Sequence, residues 1–267
     1  MGRKSLKLFF IYALGLFMVF LHNGSTLADI SSQKPAQQFY DQAVLARENG
    51  DLQKAREACQ KILTDYPDYE FLPAVRKQLQ EILLALIVSD QNSPETLEYI
   101  VQPGDTLGSI ARAKKTTLEL LKGRNHLTSD TIRPGQRLSL WNSPFEILID
   151  KTHNTLQLKT ANQIVKTYPV ATGKQQTTTP LGEFTIQHRY PNPVWFHHGE
   201  IVPPGSPENF LGTRWLGFNK PKYGIHGTIQ PELIGQSVSG GCVRMRNEDV
   251  EELYDLVPVG TKVTIVE

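Results

Sequence analysis

Tyr223-Gly-Ile-His226-Gly227 and Ser239-Gly-Gly-Cys242-Val-Arg244-Met245 mark the two edges of the stretch around which this 267-residue chain is organised. A thiol such as Cys242 is a poor nucleophile until a base takes its proton, and histidine is the side chain suited to that task near neutral pH. His226 and Cys242 lie 16 positions apart, too far for one helix face or one tight turn, so the fold must bring them together. Each sits among glycines, which let a backbone approach a substrate closely and leave amides free to face a developing oxyanion.

This wording resembles the catalytic domain of the L,D-transpeptidases, the YkuD family. The family signature is a His, a spacer of about this length, then Ser/Thr-His-Gly-Cys followed by a hydrophobic and a polar residue. His226, Ser239, Gly241, Cys242 and Val243 match it. Gly240 stands where a His is frequent, and Arg244 where Asn or Arg is found. Nucleophile and base are both retained, so these departures bear on substrate handling and rate.

The resemblance implies a role for each residue. Cys242 is the nucleophile and His226 the general base that later protonates the leaving amine. Ser239 offers the backbone carbonyl that orients the imidazole. Gly240 and Gly241, with Cys242, supply amides to the oxyanion. Arg244 binds a stem-peptide carboxylate through its planar fork, or is simply a solvated arginine. Tyr223 lines the cleft or packs in the sheet. No cofactor and no metal are expected. His197 and His198 are the rival ligands, but neighbours on a strand face opposite sides. The loop around Pro203-Pro-Gly-Ser-Pro-Glu-Asn209 is expected to frame the substrate cleft.

Outward from that centre, residues 145–267 read as one largely β domain, sandwich-like with a short helix. Phe145–Asp150 and Thr155–Leu158 alternate around His153-Asn154 as a hairpin. Val165–Gly173 and Thr179–Ile186 follow as strands, Val263–Val266 closes the sheet, and acidic Asn247–Tyr254 forms the helix.

Residues 98–141 resemble a LysM domain. Tyr99-Ile-Val-Gln-Pro-Gly-Asp105-Thr-Leu, Thr117-Leu-Glu-Leu-Leu121 and Ile132-Arg-Pro-Gly-Gln-Arg-Leu-Ser-Leu140 give strand, helix opened by Asp105 or Thr106, helix, and strand. The resemblance implies a small βααβ fold that binds the N-acetylglucosamine-containing glycan of peptidoglycan.

Residues 29–93 read as helices. Asn49-Gly50-Asp51 breaks the first from a second over Leu52–Thr64, Tyr66-Pro67 ends that one, and Phe71–Ile87 forms a third. The pattern resembles one tetratricopeptide unit plus a further helix, fewer repeats than a stacked core normally needs. It is read either as a module for a protein partner or as a spacer that packs on its neighbours.

At the start, Arg3, Lys4 and Lys7 precede an uncharged run from Leu8 to Leu21. This is the layout of an export signal over residues 1–28, with Thr26-Leu27-Ala28 as a cleavage site, or of an uncleaved anchor if the run extends to Leu27. The expected destination is the periplasm or cell wall. Cys59 and Cys242 are the only cysteines, and pairing them would consume the nucleophile, so both are expected free even in an oxidising compartment. A net charge of +1 gives no general attraction to nucleic acid.

The expected function is therefore an exported L,D-transpeptidase that joins peptidoglycan stem peptides by 3→3 cross-links through a Cys thioester. An L,D-carboxypeptidase using the same residues, or a catalytically weak wall-binding scaffold, are the alternatives.

Overall fold

A computed structural model describes residues 27–267 except His198. The expected export signal lies almost wholly outside the described residues, as does His198. No helix among the described residues is long and apolar enough to cross a membrane.

The chain opens with α1 (Leu27–Glu48), α2 (Leu52–Asp65) and α3 (Leu72–Val88). α1 carries Pro35 inside it. Gly50, at φ 78°, makes the turn, and the Asp51 carboxylate caps α2 by accepting from Lys54 N at 3.2 Å. Ala55, Cys59 and Ile62 stand on one face of α2 and are fully buried against Val75, Ile82, Leu83 and Leu86 of α3. The apolar spacing thus dictates which faces meet. Cys59 is a free thiol on that face, pushed up to about 11 by burial. It behaves as a small core residue.

Next come β1 (Thr96–Ile100), α4 (Leu107–Ala113), α5 (Leu118–Arg124) and β2 (Arg137–Trp141), with β1 and β2 antiparallel. Thr106 opens α4 through a capping box with Ser109. Asp105 instead braces the preceding turn, accepting from Gln102 N at 2.7 Å and Tyr99 Oη at 2.8 Å. Leu107, Ile110, Leu121, Leu138 and Leu140 close a small core.

The remaining strands are β3 (Phe145–Asp150), β4 (Thr155–Thr160), β5 (Gln163–Pro169), β6 (Thr172–Gly173), β7 (Gly182–Pro191), β8 (Trp195–His197), β9 (Glu200–Val202), β10 (Arg214–Phe218), β11 (Gly224–His226), β12 (Ser237–Ser239) and β13 (Val243–Arg244). α6 (Asn247–Leu256) and β14 (Lys262–Val266) end the chain. Eight strands form one curled sheet in the order β13-β11-β10-β7-β14-β3-β4-β5. β14 closes the sheet by joining its two halves. It lies inside the sheet, parallel to β3 and antiparallel to β7.

β7 is the seam. Its first residues pair with β14 and the later ones with β10, so one strand serves both halves of the curl. On one face Leu216, Ile225 and Val243 are fully buried in the same core as Val250 and Leu253 of α6. At roughly 1.5–3 kcal/mol for each buried side chain of this size, that row fixes the register of the strands that carry the site. A one-residue slip would turn their other face inward.

Candidate active site

Register places the chemistry on the opposite face. Trp215 of β10 pairs with His226 of β11, and His226 pairs with Arg244 of β13. Because neighbouring side chains in register share a face, Arg244 points the same way as His226, and Cys242 stands immediately before β13, where the Arg244 charge acts on its thiol. The sheet brings together what the sequence separates by 16 positions.

The turn from Ser239 to Cys242 is built by the Ser239 hydroxyl. It donates to the Cys242 carbonyl at 2.5 Å and accepts from Gly241 N at 3.0 Å. Gly241 has φ 116°, and a Cβ there would lie 2.9 Å from the Tyr223 ring. Glycine is therefore required at 241 on two counts. Gly240 is different, because a side chain there meets nothing within 4 Å.

His226 is 4% exposed. Its Nδ1 lies 2.7 Å from the Gly227 carbonyl, which can only accept, so that nitrogen carries the proton and Nε2 keeps its lone pair. Burial drives the imidazole down to about 4, helped by the Arg244 charge and opposed by the Gly227 and Phe210 carbonyls. Burial also raises the Cys242 thiol, against the Gly224 amide and Arg244. At rest the thiol and the imidazole are thus both neutral. The thiol donates to the Lys222 carbonyl at 3.3 Å. Lys222 holds a left-handed backbone, φ 71°, unusual outside glycine and common where a chain is held for function.

Arg244 has no carboxylate partner among the described residues, and its Nε is buried without an acceptor. Its guanidinium lies 5.9 Å from the Phe210 ring centroid. A cation held beside the thiol without a counter-charge is disposed to receive an anion.

Cys242 opens into a groove of about 920 Å³ lined by Tyr190, Trp195, Phe196, Trp215 and Lys222, among others. This volume lies in the range of small-molecule sites. The groove between α1 and α2 is smaller, about 670 Å³, and holds no comparable chemistry.

The sequence profile of the L,D-transpeptidase catalytic domain, YkuD, matches residues 144–265, and that of the LysM domain matches residues 99–141. The putative L,D-transpeptidase YkuD of Bacillus licheniformis is 42% identical over 176 residues, covering 63% of this chain and 98% of the relative. The chain belongs to the YkuD L,D-transpeptidase family. The protein of the same name from Bacillus subtilis is 40% identical over 175 residues, again covering 63% of this chain and 98% of the relative. A solved L,D-transpeptidase from Mycobacterium smegmatis aligns at 18% identity with a TM-score of 0.41, over 50% of this chain and 64% of that one.

Within this L,D-transpeptidase the structure rearranges several expected roles. The Ser239 carbonyl does not reach His226. It accepts from Lys174 N at 3.2 Å and Thr177 Oγ1 at 2.9 Å, and Gly227 holds the imidazole instead. The Gly241 amide is taken by Ser239, whereas among the described residues no acceptor reaches the amides of Gly240 or Cys242. Tyr223 packs under Gly241 and against the core, away from the groove lining. The groove is framed by Tyr190–Phe196 and Leu211, and no residue of the Pro203–Asn209 loop is in its lining. Asn209 ties that loop down, its side-chain amide donating to the Pro193 carbonyl at 2.9 Å.

Two residues were not singled out from the sequence. Asn247, first in α6, accepts from Thr213 N at 3.2 Å and Thr228 N at 3.1 Å and donates to the Thr228 carbonyl at 3.0 Å. It staples the segment after His226 to the neighbouring turn. Trp215 stacks on His226 with ring centroids 5.7 Å apart and planes 22° apart. Its signal was available: Gly217 and Gly224, isolated glycines inside strands, mark a close approach.

Among the described residues no three His, Cys, Asp or Glu side chains group as a metal site.

Proposed function

We propose that this enzyme is an exported L,D-transpeptidase that remodels peptidoglycan, with Cys242 as nucleophile and His226 as base. The observation that carries the reading is the shared face: a thiol at the mouth of an aromatic groove, a neutral buried imidazole on the adjoining strand β11, and an arginine without a counter-ion.

The chemistry follows from those groups. The thiol turns from the Lys222 carbonyl towards His226 and gives up its proton as sulfur attacks the carbonyl of the third stem residue. The amides of Gly240 and Cys242 receive the oxyanion. His226 passes the proton to the nitrogen of the departing D-alanine as that C–N bond breaks, leaving a thioester. Arg244 receives a stem carboxylate. An amine from a second stem then attacks the thioester, loses its proton through His226 and frees the thiol, giving a 3→3 cross-link. The LysM-like segment keeps the enzyme on insoluble glycan, raising the effective concentration of stems without taking part in the chemistry.

Incubating residues 29–267 with a disaccharide-tetrapeptide, beside Cys242→Ala, tests the reading by mass spectrometry. Dimers that have lost one D-alanine, absent with the variant, are the expected product. Tripeptide alone would make water the acceptor and the enzyme an L,D-carboxypeptidase. If neither forms from this substrate or from polymeric peptidoglycan, the catalytic reading fails and a wall-binding scaffold remains.

A further inference from the structure

Two cross-strand rows run over the catalytic face. One is Tyr190, Trp215, His226 and Arg244; the other begins His188, Gly217, Gly224. The second row is a trough. A Cβ at Gly217 would lie 2.6 Å from Trp215 Nε1, and one at Gly224 would lie 2.9 Å from Trp215 Cζ2 and 2.6 Å from the Leu216 carbonyl. Neither glycine has a left-handed φ, so backbone conformation does not require glycine at either place. At Gly217 the indole is what crowds a side chain out.

We propose that Trp215 is the positioning residue of His226: its indole, seated on Gly217 and Gly224, holds the imidazole on the Cys242 face and keeps water from it. The inference rests on reading His226 as the base. The stack fixes the ring plane from one side while the Gly227 carbonyl fixes Nδ1, which together hold the ring against rotation. Removal of water disfavours the imidazolium and keeps a lone pair available. The remaining indole surface lines the groove, so substrate arriving there completes the cover. The charged group that acts on the imidazole is Arg244 from β13, which also acts on Cys242, and the neutral Gly227 and Phe210 carbonyls face the ring; His188 and Lys222 stand further along the face.

The test separates position from mere stability. Histidine ring NMR would follow the His226 titration in the wild type, Trp215→Phe, Trp215→Ala and Gly217→Ala, alongside kcat and KM for the tetrapeptide donor. Trp215→Ala should raise the His226 midpoint by about one unit or more and lower kcat by about tenfold, with KM changed less. Trp215→Phe should stay close to wild type. Gly217→Ala pushes the indole aside while keeping every side chain, so it should move the midpoint in the same direction even if Trp215→Ala fails to fold. Adding Gly217→Ala to Trp215→Ala should cost nothing further. A His226 midpoint and kcat unmoved by both Trp215→Ala and Gly217→Ala overturn the proposal. If the wild type shows no turnover, a shifted midpoint still supports the Trp215 role while the proposed reaction falls.

Discussion

His226 is the residue whose environment says most. With a folded value of about 4 against an ordinary 6.5, it binds fewer protons folded than unfolded between those pH values. Stability therefore stands in full above about pH 6.5 and is lost as pH falls through 4, by about 3 kcal/mol. Urea unfolding at about pH 7.5 and about pH 4 should show this loss, and a His226→Gln chain should show less of it. An equal acid loss in both chains would place the linkage elsewhere.

The two glycines beside Cys242 make a second, sharper contrast. Gly241→Ala strains a left-handed backbone and meets Tyr223, so it should cost about 1–3 kcal/mol and most of the activity. Gly240→His enters open space and should leave stability within about 0.5 kcal/mol. Thermal unfolding of both variants checks the pair. At this scale Cys242 and His226 stand out as candidates in the sequence because their residue types and flanking glycines point to that chemistry. The partner of the Ser239 carbonyl was not, since only the closed turn decides which donors reach it.

Between elements, the buried Arg124 of α5 has the widest reach. It is 0% exposed. Nη1 donates to the Leu86 and Ile87 carbonyls at 2.7 and 2.9 Å, Nη2 to the Gln91 carbonyl at 2.9 Å and Thr96 Oγ1 at 2.8 Å, and Nε to Ser139 Oγ at 3.0 Å. The last carbonyls of α3, which a helix cannot satisfy itself, are thus capped from a neighbouring segment. Arg124→Met keeps the bulk and strands those carbonyls, so it should destabilise by roughly 3 kcal/mol or more. Denaturation by urea measures this, and a cost below about 1 kcal/mol would mean that water replaces the arginine. Helix and strand positions were readable from periodicity and breakers, and Asn49-Gly50 and Thr106 act where the pattern put them. The place of β14 was not readable, because a short alternating strand looks the same at an edge or in the middle of a sheet.

Taken whole, the molecule is joined through its interior. The core of the catalytic sheet includes Ile87 of α3 and Leu120 of α5, both almost fully buried. Polar ties reinforce the seam. Arg56 of α2 holds Glu95 with two bonds, at 2.7 and 2.8 Å, and reaches Gln163 of β5 at 3.2 Å. Thr117 donates to the Asp255 carbonyl, and Arg189 of β7 reaches Glu119 at 3.3 Å. An ion pair as buried as Arg56–Glu95 adds specificity of placement more surely than stability. The helical segment therefore packs on its neighbours, and the LysM-like segment is held against the sheet. Ile87→Ala tests how far this continuity extends. A cavity at the joint should cost about 2–5 kcal/mol, and the loss should appear as weakened amide exchange protection in α3 and in β4–β5 together. Calorimetry of the parent chain should show one transition with equal calorimetric and van't Hoff enthalpies. Loss confined to the helices, or two separate transitions, would mean that the segments share a surface but not a folding unit.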